Sequence, residues 1–221
     1  MALKFAWAIP TNPPVQRALF GALPEGLASL LFYAYVGLLT GVFEVALVWL
    51  VMRYTRLGRV RWERALSFGI GFGAIEALLL GANSLLPVVT ALVAPTLYPP
   101  ELQAQLALLN NVLFGFAPVV ERLAVVMVHI LCSVLIFYGV ARSESRWFWL
   151  ALAFKSALDT VAAFGQSWDM AVLWKLWTIE AAMVLFGVIG WMGTRWVAER
   201  YPADAAHAGA HVIAVADGGN Q

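Results

Sequence analysis

What this chain lacks narrows it first. Cys132 is its only cysteine, so no disulfide can form within it. Charge is scarce: 12% of residues are Asp, Glu, Lys or Arg, about half the usual share of a soluble domain. The formal net charge of +1 offers no basic face to a nucleic acid. The sequence has no His-Glu-x-x-His helix, no Gly-x-Ser-x-Gly element and no P-loop. Three common hydrolase and nucleotide-binding signatures are thereby missing. It shows no repeat between its halves of the kind many secondary carriers carry.

Apolar residues are abundant, at 62% of the chain, with a mean hydropathy of +0.80. One core of this size cannot hide so much apolar surface, and its natural solvent is lipid. Spanning about 30 Å of hydrocarbon takes about 20 apolar residues in a helix. Five runs qualify, at 28–52, 65–90, 118–140, 147–166 and 170–193. Backbone polar groups find no water in lipid, so each run is expected to be helical. The expected fold is all-α: a polytopic transmembrane bundle of about five spans. The polar stretch 101–117, with Gln103, Gln105, Asn110 and Asn111, allows one extra helix that is re-entrant or interfacial.

Three regions follow: an interfacial arm over 1–27, broken by Pro10, Pro13 and Pro14; the helical domain, 28–200; and a disordered tail, 201–221. His207 and His211 in that tail read as part of a floppy segment rather than a metal site. The arginines set an orientation. Arg53, Arg56, Arg59, Arg61 and Arg64 follow the first span, Arg142 and Arg146 the third, and Arg195 and Arg200 the fifth, whereas 91–117 and 167–169 carry no Lys or Arg. The positive-inside rule places the arginine loops in the cytoplasm. The expectation is a multi-pass protein of the bacterial inner (plasma) membrane, N-terminus outside and C-terminus inside. Lys4 and Arg17 run weakly against it.

Ionisable residues inside spans cost about 2.5–3.5 kcal/mol each on insertion scales, so they face the bundle interior and mark function. Here they are Glu44, Glu76, Glu121, Arg122, His129, Lys155, Asp159, Lys175 and Glu180. Glu76, His129, Lys155 and Glu180 each fall about ten residues into a span, at similar depth. They are expected to converge on one pocket, with Glu76 and His129 in reach of each other and Glu121, Arg122 and Asp159 around them. Gly69, Gly73, Ala77 and Gly81 recur every four residues, a stripe for close helix packing. Lys155 and Asp159 share a face at spacing four. A purely structural reading makes them an internal ion pair, and makes Glu121–Arg122 an interface anchor.

The order GVFEVALVWLVMRY, GIGFGAIEALLLG, ERLAVVMVHI and FKSALD resembles the YhfC family of intramembrane proteases, which looks like a relative of the PrsW and CAAX-type (CPBP) peptidases. The resemblance covers roughly residues 37–165. It implies site roles for Glu44, Glu76, Glu121, Arg122, His129 and Asp159. It also implies replacements. Val45 stands for the second glutamate of a Glu-Glu pair and Val48 for a basic residue. Phe72 stands for the histidine of a Gly-His-Gly element, and Lys155 for that of a His-x-x-x-Asp motif.

Hydrolysis needs a base, a water and a group that stabilises the oxyanion. Glu76 suits the first role and His129 the last. Glu121 and Asp159 complete the candidate catalytic set, with Glu44, Arg122 and Lys155 supporting it. With one histidine in the spans, zinc would depend on carboxylates, and no metal or other cofactor is expected. Expected partners are membrane lipids and a transmembrane peptide or membrane-protein substrate. The alternatives are a catalytically inactive relative that binds membrane partners, or a small proton-coupled carrier.

Overall fold

The structure is a computed structural model that describes residues 2–94, 97–108 and 111–202. The histidines of the tail and Asn110 lie outside them. The described residues form helices and connecting turns, with no strand. Helix α1 is Ala2–Ala22. Helix α2, Glu25–Gly41, passes through one wide π-turn, Val42–Ala46, into α3, Leu47–Tyr54. Then come α4, Trp62–Val93; a short α5, Pro100–Ala107; α6, Val112–Arg142; α7, Arg146–Gly165; and α8, Leu173–Ala198.

Among the described residues, five stretches are long and apolar enough to cross a membrane: Glu25–Tyr54, α4, α6, α7 and α8. They contain the expected spans 28–52, 65–90 and 118–140; α7 ends one residue short of the expected 147–166, and α8 begins three residues later and ends five later than the expected 170–193. Within 101–117, the first part is α5 and residues 112–117 open α6, which continues through Pro118 without a break.

Helix α6 is the axle. Over its most apolar stretch 83% of residues are buried, against 22–39% in the other four. Helices α4, α7 and α8 pack on it, and α2 packs on α7. The outward face of α4 presents Ile75, Leu78, Leu79, Leu85 and Leu86, the surface lipid would cover.

Small residues set the distances. A Cβ added to Gly187 or Gly190 of α8 would lie 2.8 Å from the backbone of Ala124 or Met127. One added to Gly69 or Gly73 of α4 would lie 2.9 Å from Ile130 Cα or 3.2 Å from Val126 Cα. Gly81, the last of the expected stripe, has no neighbour within 4 Å of its added Cβ; by that turn α4 has diverged from α6. A pair not anticipated from sequence, Gly37 and Gly41, lets α2 approach α7. A Cβ on Gly37 would come 2.5 Å from the Ser156 carbonyl oxygen. In lipid such contacts replace the hydrophobic drive that water supplies elsewhere.

The arginine-bearing segments gather at one end of the bundle. Arg142 lies over the Tyr138 ring at 5.3 Å, and Tyr138 packs on Trp147, Trp196 and Tyr201. Tyr201 donates to the Val60 carbonyl at 3.0 Å, which ties the chain after α8 to the α3–α4 loop. Burial pushes the Tyr201 phenol up to about 12. In the α6–α7 turn, Glu144 accepts from Trp147 Nε1 at 2.7 Å and pairs with Arg146 and Arg142. Those bonds hold its carboxyl below the usual range.

Candidate active site

Four elements deliver one polar cluster to the middle of this apolar bundle. The first is the π-turn. Its wide turn breaks the regular ladder, a feature frequent at functional sites, and it carries Glu44, buried beside Val45. Gly37 and Gly41, two turns and one turn earlier, bring α2 onto Ser156 and Leu152 of α7. That crossing places Glu44 against Lys155, the next polar residue along α7. Lys155 is 1% exposed, and its Nζ lies 3.0 Å from Glu44 Oε2 and 2.8 Å from Asp159 Oδ2.

The second half of the cluster comes from α4 and α6. Gly73 lets the two backbones meet, with His129 Cβ 3.1 Å from the position its own Cβ would take. Glu76, three residues on, then lies beside the imidazole: His129 Nε2 is 3.1 Å from Glu76 Oε2. The contact falls outside hydrogen-bond geometry, and Nε2 is buried without a hydrogen-bond partner. The Phe72 ring covers the other side of His129, with centroids 5.2 Å apart.

The halves meet. Glu44, Glu76 and His129 each offer a ligand atom within 4.8 Å of the others. Three carboxylates, Glu44, Glu76 and Asp159, therefore share one buried space with the Lys155 ammonium and the His129 imidazole.

One residue of the cluster was missed from sequence. Lys4 of α1 donates from Nζ to Glu44 Oε1 at 2.6 Å. Sequence reading counts Lys4 only as a weak topological signal on an interfacial arm. A charge count was the available clue, because three core acids faced a single lysine.

The remaining expected site residues lie elsewhere. Glu121 and Arg122 pair with each other, two turns of α6 from His129. Their charges act on Glu180 of α8, whose Oε2 is buried without a hydrogen-bond partner. They form a second polar group apart from Glu76 and His129. Of the replaced positions, Phe72 and Lys155 line the cluster, Val45 is core, and Val48 is half-buried against that core.

The donor set bears on whether a metal fits. A zinc site takes about three protein ligands plus water. Glu44, Glu76 and His129 supply three donors by distance, but both Glu44 oxygens are held by ammonium groups, Lys4 on one and Lys155 on the other. The donors left are Glu76 and His129, with a buried positive charge nearby that opposes a divalent cation.

Comparison with curated proteins and with solved structures finds no match. A family model described as YhfC intramembrane metalloprotease matches residues 21–183. It spans all four elements that build the cluster, and this chain belongs to the YhfC intramembrane metalloprotease family.

Proposed function

We propose that this protein hydrolyses peptide bonds within the membrane by a glutamate-based mechanism, with Glu76 as the proton-transfer group. The observation that carries the reading is the buried contact of Glu76 and His129 at 3.1 Å, in the middle of two spanning helices. Buried ionisable pairs at that depth are costly and mark function by default. The family description implies a metal, and the residues of this chain do not fit one: two donors remain once the ammonium contacts of Glu44 are counted. The chemistry is therefore assigned to side chains alone.

The Glu76 carboxylate takes a proton from water as the water oxygen bonds to the scissile carbonyl carbon. The electron pair of the carbonyl moves to its oxygen, where a His129 N–H donates to it. Glu76 then passes its proton to the amide nitrogen as the C–N bond breaks, releasing an amine and a carboxylic acid. Lys155, clamped between Glu44 and Asp159, is a positioning residue: it fixes Glu44 and raises the positive potential around the oxyanion.

A second reading has its own support. Phe72 and Lys155 occupy positions where the resemblance implies histidines, and both line the cluster. A non-catalytic relative that binds membrane segments would keep the scaffold and tolerate both replacements. Cleavage of a fluorogenic transmembrane peptide by the purified protein in liposomes separates the two. Product formation that Glu76→Gln removes supports hydrolysis. No product over a broad peptide panel, with the peptides still bound, favours the binding reading.

A further inference from the structure

We propose that helix α1 is a tethered occupant of the place a substrate takes, and that Glu44 recognises the basic side chain of whatever sits there. The site would then select membrane peptides that carry a lysine or arginine. This rests on the reading of the cluster as a peptide-handling site.

The family match begins at residue 21, so nearly all of α1 precedes the matched region. Its contacts with the bundle fall on one face. Lys4 bonds Glu44, the Trp7 ring packs on Phe43 with centroids 6.4 Å apart, and Thr11 accepts from the Tyr35 hydroxyl at 3.0 Å. Residues 4, 7 and 11 recur at helical spacing, against 44, 43 and 35 of the antiparallel span. The segment thus runs back along α2 and ends with its ammonium inside the cluster. The Lys4 charge acts on Glu44, Glu76 and Asp159 together.

Two properties make α1 a segment that occupies the site rather than one that builds it. It packs chiefly on α2 and is not among the helices apolar enough to span. It also contains Pro10, Pro13 and Pro14, each lacking an N–H for the helical ladder. A peptide must leave helical form before its backbone can be attacked, and a helix that carries three prolines does so at lower cost.

Glu44 supplies the recognition. Its Oε2 is committed to Lys155 within the matched region, while Oε1 is satisfied by Lys4 from outside it. Withdrawal of α1 leaves a buried carboxylate oxygen without its charge partner, which is costly. Another ammonium or guanidinium group restores the pair, whereas an apolar or amide side chain does not.

The test uses the full chain in phosphatidylethanolamine–phosphatidylglycerol vesicles and two fluorescent apolar helical peptides of about 20 residues. They are identical except for one Lys or Gln near the middle. If α1 fills the site about nine-tenths of the time, its release tightens apparent binding about tenfold. Lys4→Gln should give that gain for the lysine peptide, and Lys4→Arg should behave as wild type. Tyr35→Phe, which loosens α1 without altering the site's charge, should shift binding the same way by less. Glu44→Gln should abolish the preference for the lysine peptide. Unchanged lysine-peptide affinity in both Lys4→Gln and Tyr35→Phe, or a preference that survives Glu44→Gln, would overturn the proposal. Cleavage is read in the same samples. If nothing is cleaved while the binding pattern holds, the hydrolytic reading fails and recognition by Glu44 stands.

Discussion

Nε2 of His129 lies 3.1 Å from Oε2 of Glu76, and no hydrogen bond joins them. The buried Nε2 has no hydrogen-bond partner, so its bonding capacity is open to a group placed beside Glu76. A water, or the carbonyl of a peptide, is the kind of group that would use it.

Lys155 should dominate stability. It is the wholly buried cation between Glu44 and Asp159. Lys155→Met leaves the buried Glu44 and the half-buried Asp159 short of a partner, and breaking a buried pair in this way costs about 3–5 kcal/mol. Asp159→Asn keeps the Lys155–Glu44 contact and should cost distinctly less. Thermal unfolding in detergent measures both. Equal effects, or a neutral Lys155→Met, would contradict the assigned ion-pair geometry.

Metal content should be low and restorable. Purified wild-type protein, incubated with cobalt and dialysed, should retain well under one ion per chain. Phe72→His combined with Lys155→His removes the opposing ammonium and adds two imidazoles beside His129. That variant should show the visible absorption of four-coordinate cobalt. Stoichiometric cobalt in the wild type, bound by Glu76 and His129, would show that Lys4 and Lys155 yield to a cation.

The glycines of α8 should be far less replaceable than those facing outward. Gly190→Val drives a side chain into the Met127 backbone, 2.8 Å from the new Cβ, and should lower the melting temperature clearly. Gly71→Ala and Gly81→Ala meet nothing within 4 Å. They should be silent or slightly stabilising, since alanine favours helix by about 1 kcal/mol over glycine.

The bundle's shape was legible in sequence because lipid imposes one rule, about 20 apolar residues per helix, and all five runs obey it. The meeting of Glu76 and His129 was legible for a related reason: charged groups at one depth in a bundle have few places to go. The position of Glu121 and Arg122 was not. Two turns of α6 separate them from His129, and sharing a helical face says nothing about distance along the axis. Lys4 was hidden by its surroundings, since three prolines in a short apolar stretch suggest a broken arm. Only packing against α2 shows that the segment reaches Glu44. The Gly37–Gly41 crossing was lost in a run where apolar residues dominate.

The arginine distribution predicts an orientation that labelling can test. Cysteine at Ser145, exposed in the α6–α7 turn, should react with impermeant maleimide only from the cytoplasmic side. Cysteine at Ser167, exposed after α7, should react only from outside. Native Cys132 is 4% exposed and should stay silent. The reverse labelling pattern would invert the protein without altering the site.

In the proposed reaction Glu76 moves the proton. The direct measurement is the cleavage rate of a transmembrane reporter peptide in liposomes by wild type and Glu76→Gln, each shown to be folded by its melting temperature. Glutamine keeps the size of the side chain but cannot take a proton from water. Loss of a general base typically costs 10²–10⁴-fold, so the variant should fall by about that factor, with His129→Ala falling comparably. Wild-type cleavage that Glu76→Gln matches would rule Glu76 out as the general base.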